Sequence, residues 1–89
     1  MSSDRPAWQV YVVRCADGSL YTGIAKDLDA RIAEHNGGAG AKYTRGRRPV
    51  ALVYAEAAED RSGAQRREAE IKRLSAEAKR ALIARPRRD

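Results

Sequence analysis

An alternating apolar segment covers residues 8–15, a turn signal follows at Ala16-Asp17-Gly18, and a second extended segment covers residues 19–24. This succession predicts a β-hairpin. Loop length then decides what the two strands present together. A two-residue Asp17-Gly18 loop pairs Ala16 with Ser19 and sends Tyr11 and Tyr21 to opposite faces. A three-residue loop with Gly18 in the left-handed conformation pairs Cys15 with Ser19, Val13 with Tyr21 and Tyr11 with Gly23, so that both hydroxyls share a face. The three-residue loop is the expectation. In that register Gly23 lies across from Tyr11, and its missing side chain leaves room for a ligand.

Downstream, Asp27 reads as the N-cap of a helix over 28–35 that stops at Asn36-Gly37-Gly38. At about 100° per residue, Leu28, Arg31, Ile32 and His35 fall within one arc. Arg31 and His35 therefore border the buried stripe, with their tips toward the hairpin edge. Pro49 opens a third extended segment over 50–54. A helix over 62–74 follows, with Ala64, Ile71 and Leu74 inward and Glu68 on that same face. A last helix over 75–84 packs through Ala78, Ala81 and Leu82, and residues 1–7 and 85–89 read as frayed tails. The expected fold is α+β: a three-stranded antiparallel sheet, hairpin plus third strand, flanked by about three helices. Residues 1–89 form a single domain with its core at about 8–83.

At 89 residues the chain is near the lower end of what one hydrophobic core stabilises without disulfides or a structural metal. The single Cys15 cannot form an internal disulfide, and no Cys/His cluster offers a zinc site. Cys15 reads instead as a small buried apolar residue of a protein in a reducing cytoplasm. No stretch approaches the ~20 apolar residues of a membrane span, so a soluble intracellular protein is expected.

Charge refines this picture. The formal net charge is +6, but up to Asn36 there are four Lys/Arg against five Asp/Glu, and from Gly37 onward fourteen against seven. The stretch Lys42-Tyr43-Thr44-Arg45-Gly46-Arg47-Arg48 holds no acidic residue, and glycines flank it. A polyanion is the natural partner for such a segment, with a merely solubilising face as the bland alternative.

Tyr11, Tyr21, Arg31, His35 and Glu68 together suit phosphate chemistry. A phenol relays a proton, a guanidinium neutralises phosphate in a fixed fork geometry, and a carboxylate holds a hard divalent cation. Spacing alone leaves Glu68 open between a metal ligand and half of a structural ion pair. Tyr43 either joins the site or covers it, and Lys72, one turn after Glu68, bonds either that carboxylate or a phosphate. Trp8 and Tyr54 read as sheet packing rather than stacking platforms for bases.

Val10-Tyr11 with Tyr21-Thr22-Gly23, Arg31-Ile32-Ala33-Glu34-His35-Asn36, Lys42-Tyr43-Thr44-Arg45 and Arg67-Glu68-Ala69-Glu70-Ile71-Lys72 resemble, in order, the motifs of the GIY-YIG endonuclease superfamily. The likeness covers about residues 8–83 and is greatest to its small single-domain bacterial group, the YhbQ-like proteins. The resemblance implies that Tyr11 and Tyr21 line the site, one serving as general base or orienting the attacking water. It implies that Arg31 stabilises charge on the scissile phosphate, that His35 holds a site position, that Gly23 closes the second motif, and that Glu68 binds one Mg²⁺ or Mn²⁺ ion. Two departures stand out. Gln9-Val10-Tyr11 replaces Gly-Ile-Tyr, and Ile24 stands where some family nucleases place a lysine that helps activate the base.

Three functions follow as expectations. The first is a metal-dependent endonuclease acting on DNA, or on RNA, in repair or recombination, with a protein partner supplying substrate choice. The second is a catalytically idle nucleic-acid-binding module, and the third a small structural partner of a repair assembly. Nucleic acid would meet Lys42, Tyr43, Arg45, Arg47, Arg48 and Lys72, chiefly through phosphate contacts.

Overall fold

A computed structural model describes residues 8–84 of the chain. The expected tails at 1–7 and 85–89 lie outside the described residues. The elements are β1 (Trp8–Arg14), β2 (Leu20–Ala25), α1 (Leu28–Asn36), α2 (Lys42–Arg45), β3 (Ala51–Ala58), α3 (Arg61–Lys72) and α4 (Ala76–Ala84). The three strands form one antiparallel sheet in the order β2-β1-β3. The α+β architecture is as expected, with four helices in place of about three.

The hairpin adopts the three-residue loop. Tyr11 pairs with Gly23, Val13 with Tyr21 and Arg14 with Leu20, while Cys15 N donates to Ser19 O at 2.8 Å. Gly18 takes φ +87, the left-handed value that makes this turn possible. Asp17 braces the loop: its Oδ1 accepts from Ser19 N at 3.0 Å and from Ser19 Oγ at 2.6 Å, and its Oδ2 accepts from Arg47 Nε at 3.0 Å. The Ser19 hydrogen bonds, with help from the Arg47 guanidinium, hold the Asp17 carboxyl below its usual value.

Because β1 is central, its alternation fills two separate cores. Val10 and Val12 point into a cluster with Ala64, Ile71 and Leu82 of α3 and α4, while Tyr11, Val13 and Cys15 share the other with Ala25, Val50 and the α1 residues Leu28 and Ile32. The fully buried Val10, Val12, Val13 and Ile71 each stabilise the fold by about 1.5–3 kcal/mol. Cys15 is buried, as its composition suggested. Trp8 and Tyr54 also pack as expected, against the first cluster.

Most element ends shift by a residue or two, α3 stopping at Lys72 rather than 74, and three differences have a visible cause. β3 runs to Ala58 because its pairing with β1 continues past a bulge at Val53, extending the ladder from Ala51 opposite Arg14 to Ala58 opposite Trp8. α3 begins at Arg61, since Asp60 Oδ1 accepts from Gly63 N at 2.7 Å and so caps it earlier. The stretch 42–45, read as part of a glycine-flanked loop, makes a single helical turn. Short turns of this kind carry too little periodicity to be seen in sequence.

Since Gly18 has open space around its Cα but a left-handed backbone, Gly18→Ala should lower stability by about 1–2 kcal/mol through conformation alone. Urea unfolding measures this. An unchanged midpoint would show that the turn tolerates an L side chain.

Candidate functional site

Tyr11 and His35 meet because β1 and α1 each turn a large polar side chain into the second core. Both residues are fully buried, and Tyr11 Oη lies 2.8 Å from His35 Nε2. The His35 ring continues to Thr44, whose Oγ1 is 2.8 Å from Nδ1. Thr44 is itself fully buried and donates to Ala41 O at 2.9 Å. Among the described residues no buried side-chain nitrogen or oxygen lacks a partner, these included.

Two glycines permit the arrangement. A Cβ on Gly23 would stand 2.5 Å from Tyr11 Oη and 2.7 Å from its Cζ. The room expected there for a ligand is therefore taken by the Tyr11 ring itself, because the cross-strand pair folds the phenol back over the glycine. A Cβ on Gly40 would collide with His35 Nδ1 and come within 2.7 Å of its Cα, so the α1–α2 connection can close over the imidazole only as glycine.

His35 was expected to border the buried stripe and instead lies inside it. Arg31 does sit at the border, with its side chain 31% exposed and Nη1 donating to Glu34 Oε1 at 2.9 Å. Burial pushes the Tyr11 phenol above its ordinary 10.0, although the Arg31 guanidinium pulls the other way; the charges of Tyr21 and Glu68 add smaller increases. Burial, reinforced by the Arg31 charge and opposed by Glu34, pulls the His35 imidazole below 6.5. At neutral pH the pair is therefore a neutral phenol beside a neutral imidazole.

Tyr21 flanks this pair. Its ring meets His35 edge-on at 5.5 Å between centroids and stacks on Tyr43 at 5.8 Å with a 24° tilt. The Arg47 guanidinium lies over the Tyr43 ring at 4.1 Å, and Lys72 Nζ lies 5.7 Å from the Tyr21 centroid. Tyr43 thus packs against Tyr21 and Arg47 while remaining 40% exposed.

Lys72 Nζ also lies 3.2 Å from Glu68 Oε2. The α3 edge bearing Glu68 and Lys72 therefore turns toward Tyr21, while Ala64 and Ile71 fill the core. The Glu68 side chain is 22% exposed, so solvent reaches a carboxylate placed beside the tyrosines. Among the described residues no group of three or more His, Cys, Asp or Glu gathers into a metal cage. A partly exposed single carboxylate suits a hard cation that keeps most of its waters and shares a phosphate oxygen, and does not suit a dehydrated ion.

The basic stretch divides. Arg47 Nη1 donates to Tyr43 O at 2.8 Å in addition to its Asp17 pair, while Arg48 donates from Nε to Arg45 O at 3.0 Å and from Nη1 to Asn36 O at 3.3 Å. Both brace the segment. Lys42 and Arg45 are exposed and hold no such side-chain bond among the described residues.

Sequence reasoning quoted Thr44 within a motif without assigning it and did not single out Gly40. It likewise read Asn36 only as a helix stop, although the Asn36 side chain bonds both backbone groups of Val50, from Nδ2 to O at 3.1 Å and from N to Oδ1 at 2.7 Å. Ladders between distant segments leave no local signal.

Similarity to known proteins agrees with the geometry. Residues 7–81 match the family described as the GIY-YIG catalytic domain. A UPF0213 protein of Desulfotalea psychrophila is 60% identical over 82 residues, covering 91% of this chain and 74% of that protein. One from Staphylococcus aureus is 58% identical over 74 residues, covering 83% of this chain and 90% of the relative. The solution NMR structure of a UPF0213 protein from Bacillus halodurans shares 47% identity at a TM-score of 0.56, covering 86% of this chain and 82% of that one.

The depressed His35 value has a thermodynamic consequence. Between that value and 6.5 the unfolded chain holds a proton that the native chain does not, so stability rises with pH there. It should be complete above about pH 7 and fall as pH drops through 6.5 toward the native value. His35 is the chain's sole histidine, which assigns the effect. Melting temperature followed across this window should decline on acidification, and a flat profile would contradict a neutral buried imidazole.

Proposed function

This chain belongs to the GIY-YIG catalytic-domain family, and from that premise we propose that it is a metal-dependent endonuclease that hydrolyses phosphodiester bonds in DNA or RNA. The observation that carries this reading is the Tyr11 hydroxyl held against a neutral, acceptor-capable imidazole inside a site that also gathers Tyr21, Arg31 and Glu68.

The chemistry follows from these groups. A phenol raised above 10.0 supplies no free phenolate at neutral pH, so Tyr11 acts by relay. Because the Tyr11 oxygen is fully buried in the free protein, the relay requires that substrate binding bring the attacking water to it; the oxygen then takes the water's proton while its own passes to His35 Nε2. The nascent hydroxide forms the new P–O bond as the leaving P–O bond breaks. Arg31, at the site's border, neutralises charge on the non-bridging oxygens, which a guanidinium does through two parallel donors. Tyr21, fixed between His35, Tyr43 and Lys72, orients the water. Glu68 holds Mg²⁺ or Mn²⁺, which when bound supplies Lewis-acid stabilisation of the leaving oxygen.

Ile24 packs against the first core cluster and brings no cation to the tyrosines. The ammonium beside Tyr21 comes from Lys72 on α3 instead. Lys42 and Arg45, exposed at the two ends of α2, are the proposed phosphate-backbone contacts. A contact set of this kind favours backbone over base readout, leaving substrate choice to nucleic-acid shape or to a partner protein.

Cleavage of branched, single-stranded and duplex DNA and RNA with Mg²⁺ or Mn²⁺ tests this reading. Glu68→Ala and Arg31→Ala should each lose on the order of 10²–10³ in rate while retaining nucleic-acid binding. A pure wild-type protein that cuts none of these substrates with either ion would defeat the nuclease reading.

A further inference from the structure

We infer that Thr44 is a positioning residue whose Oγ1 receives the Nδ1–H proton of His35 and so holds the Nε2 lone pair against the Tyr11 hydroxyl. The tautomer follows from the hydrogen-bond network alone; its catalytic meaning rests on the nuclease reading above.

A threonine hydroxyl has one proton and can satisfy one acceptor. Thr44 Oγ1 lies 2.9 Å from Ala41 O, which can only accept, and 2.8 Å from His35 Nδ1, which can accept or donate according to tautomer. With Nδ1 protonated, three donors find three acceptors in line: Tyr11 O–H to His35 Nε2, His35 Nδ1–H to Thr44 Oγ1, and Thr44 O–H to Ala41 O.

The opposite tautomer breaks this order. Thr44 would donate to Nδ1, and Nε2–H would donate to Tyr11 Oη. The Tyr11 proton would then have nowhere to go, because Tyr11 is fully buried and His35 Nε2 is its sole hydrogen-bond acceptor among the described residues. A buried hydroxyl left without an acceptor carries a penalty of about 1–3 kcal/mol, enough to make one tautomer dominate.

Two features of the segment between the helices support the assignment. Gly40 allows the chain to close over the ring, since a Cβ there would meet His35 Nδ1 and Cα. The α2 turn is fixed in turn by Thr44 N, which donates to Ala41 O at 3.0 Å. Thr44 is thus held by its backbone and its hydroxyl to the same carbonyl, an arrangement that aims the remaining lone pair at the imidazole.

His35 being the chain's sole histidine makes the test unambiguous. Ring-nitrogen NMR of ¹⁵N-labelled protein above pH 7 should show a protonated Nδ1 and an unprotonated Nε2. Thr44→Ser should preserve that pattern, and Thr44→Val, which strips Nδ1–H of its acceptor while Tyr11 still donates to Nε2, should keep the tautomer but move the Nδ1 resonance. Thr44→Val should also lower kcat on the order of 10–100-fold with KM little changed, as losing an outer partner that orients a histidine does elsewhere, while Thr44→Ser restores most of the rate.

An Nε2–H ring in wild type overturns the inference whatever the activity, as does an Nδ1 resonance that Thr44→Val leaves unmoved. A kcat unchanged in Thr44→Val overturns the positioning role. If Thr44→Val does not fold, the wild-type and Thr44→Ser spectra still decide. Should wild type cleave nothing, the nuclease reading falls with the catalytic meaning, and the spectrum judges the tautomer on its own.

Discussion

The buried hydrogen bond between Tyr11 Oη and His35 Nε2 is the constraint on which the rest of the site depends. Two polar groups taken out of water must satisfy each other or lose their hydration without compensation. That requirement fixes the hairpin register, because only a loop of three residues brings Tyr11 to the α1 face. It fixes Gly23, which must lack a side chain for the phenol to lie across it. It also fixes the path after α1, where Gly40 and Thr44 enclose the imidazole. A domain this small has little core to spare, and a polar chain at its centre trades some stability for defined orientation.

The same bond sets the electrostatics. Burial raises the phenol and depresses the imidazole, so each stays neutral where an exposed pair would be open to solvent protons. A site made of neutral hydrogen-bonded groups at its core and charged ones at its rim is suited to moving a proton inward while a phosphate remains outside. Arg31 and Glu68 occupy that rim, and both are partly exposed.

Much of this was legible in the chain. Gly18 after Ala16-Asp17 gave the turn, and parity from that turn paired Tyr11 with Gly23. Asp27 capped α1 as read, accepting from Ala30 N at 3.1 Å, and Glu68 borders the side of α3 that Ala64 and Ile71 bury. These are local signals. What escaped was nonlocal: the full burial of His35, its bond to Thr44 nine residues on, and the filling of the space over Gly23 by the Tyr11 ring. The uniform basic stretch concealed a division of labour as well. Arg47 and Arg48 meet carbonyls and a carboxylate of their own chain, which no count of charges distinguishes from the exposed Lys42 and Arg45.

Tyr11→Phe separates the hydroxyl's chemistry from its packing, since the ring still fills its place over Gly23 and only the oxygen is lost. Single-turnover cleavage by this variant, on a nucleic acid that the wild type cuts, is the most direct measurement of whether the Tyr11–His35 pair drives hydrolysis. The expected result is a rate lower by about 10²–10⁴ with substrate binding retained, the range that a positioned general base contributes. Cleavage at the wild-type rate would show that the bond at the centre of the site is structural and that another group activates the water.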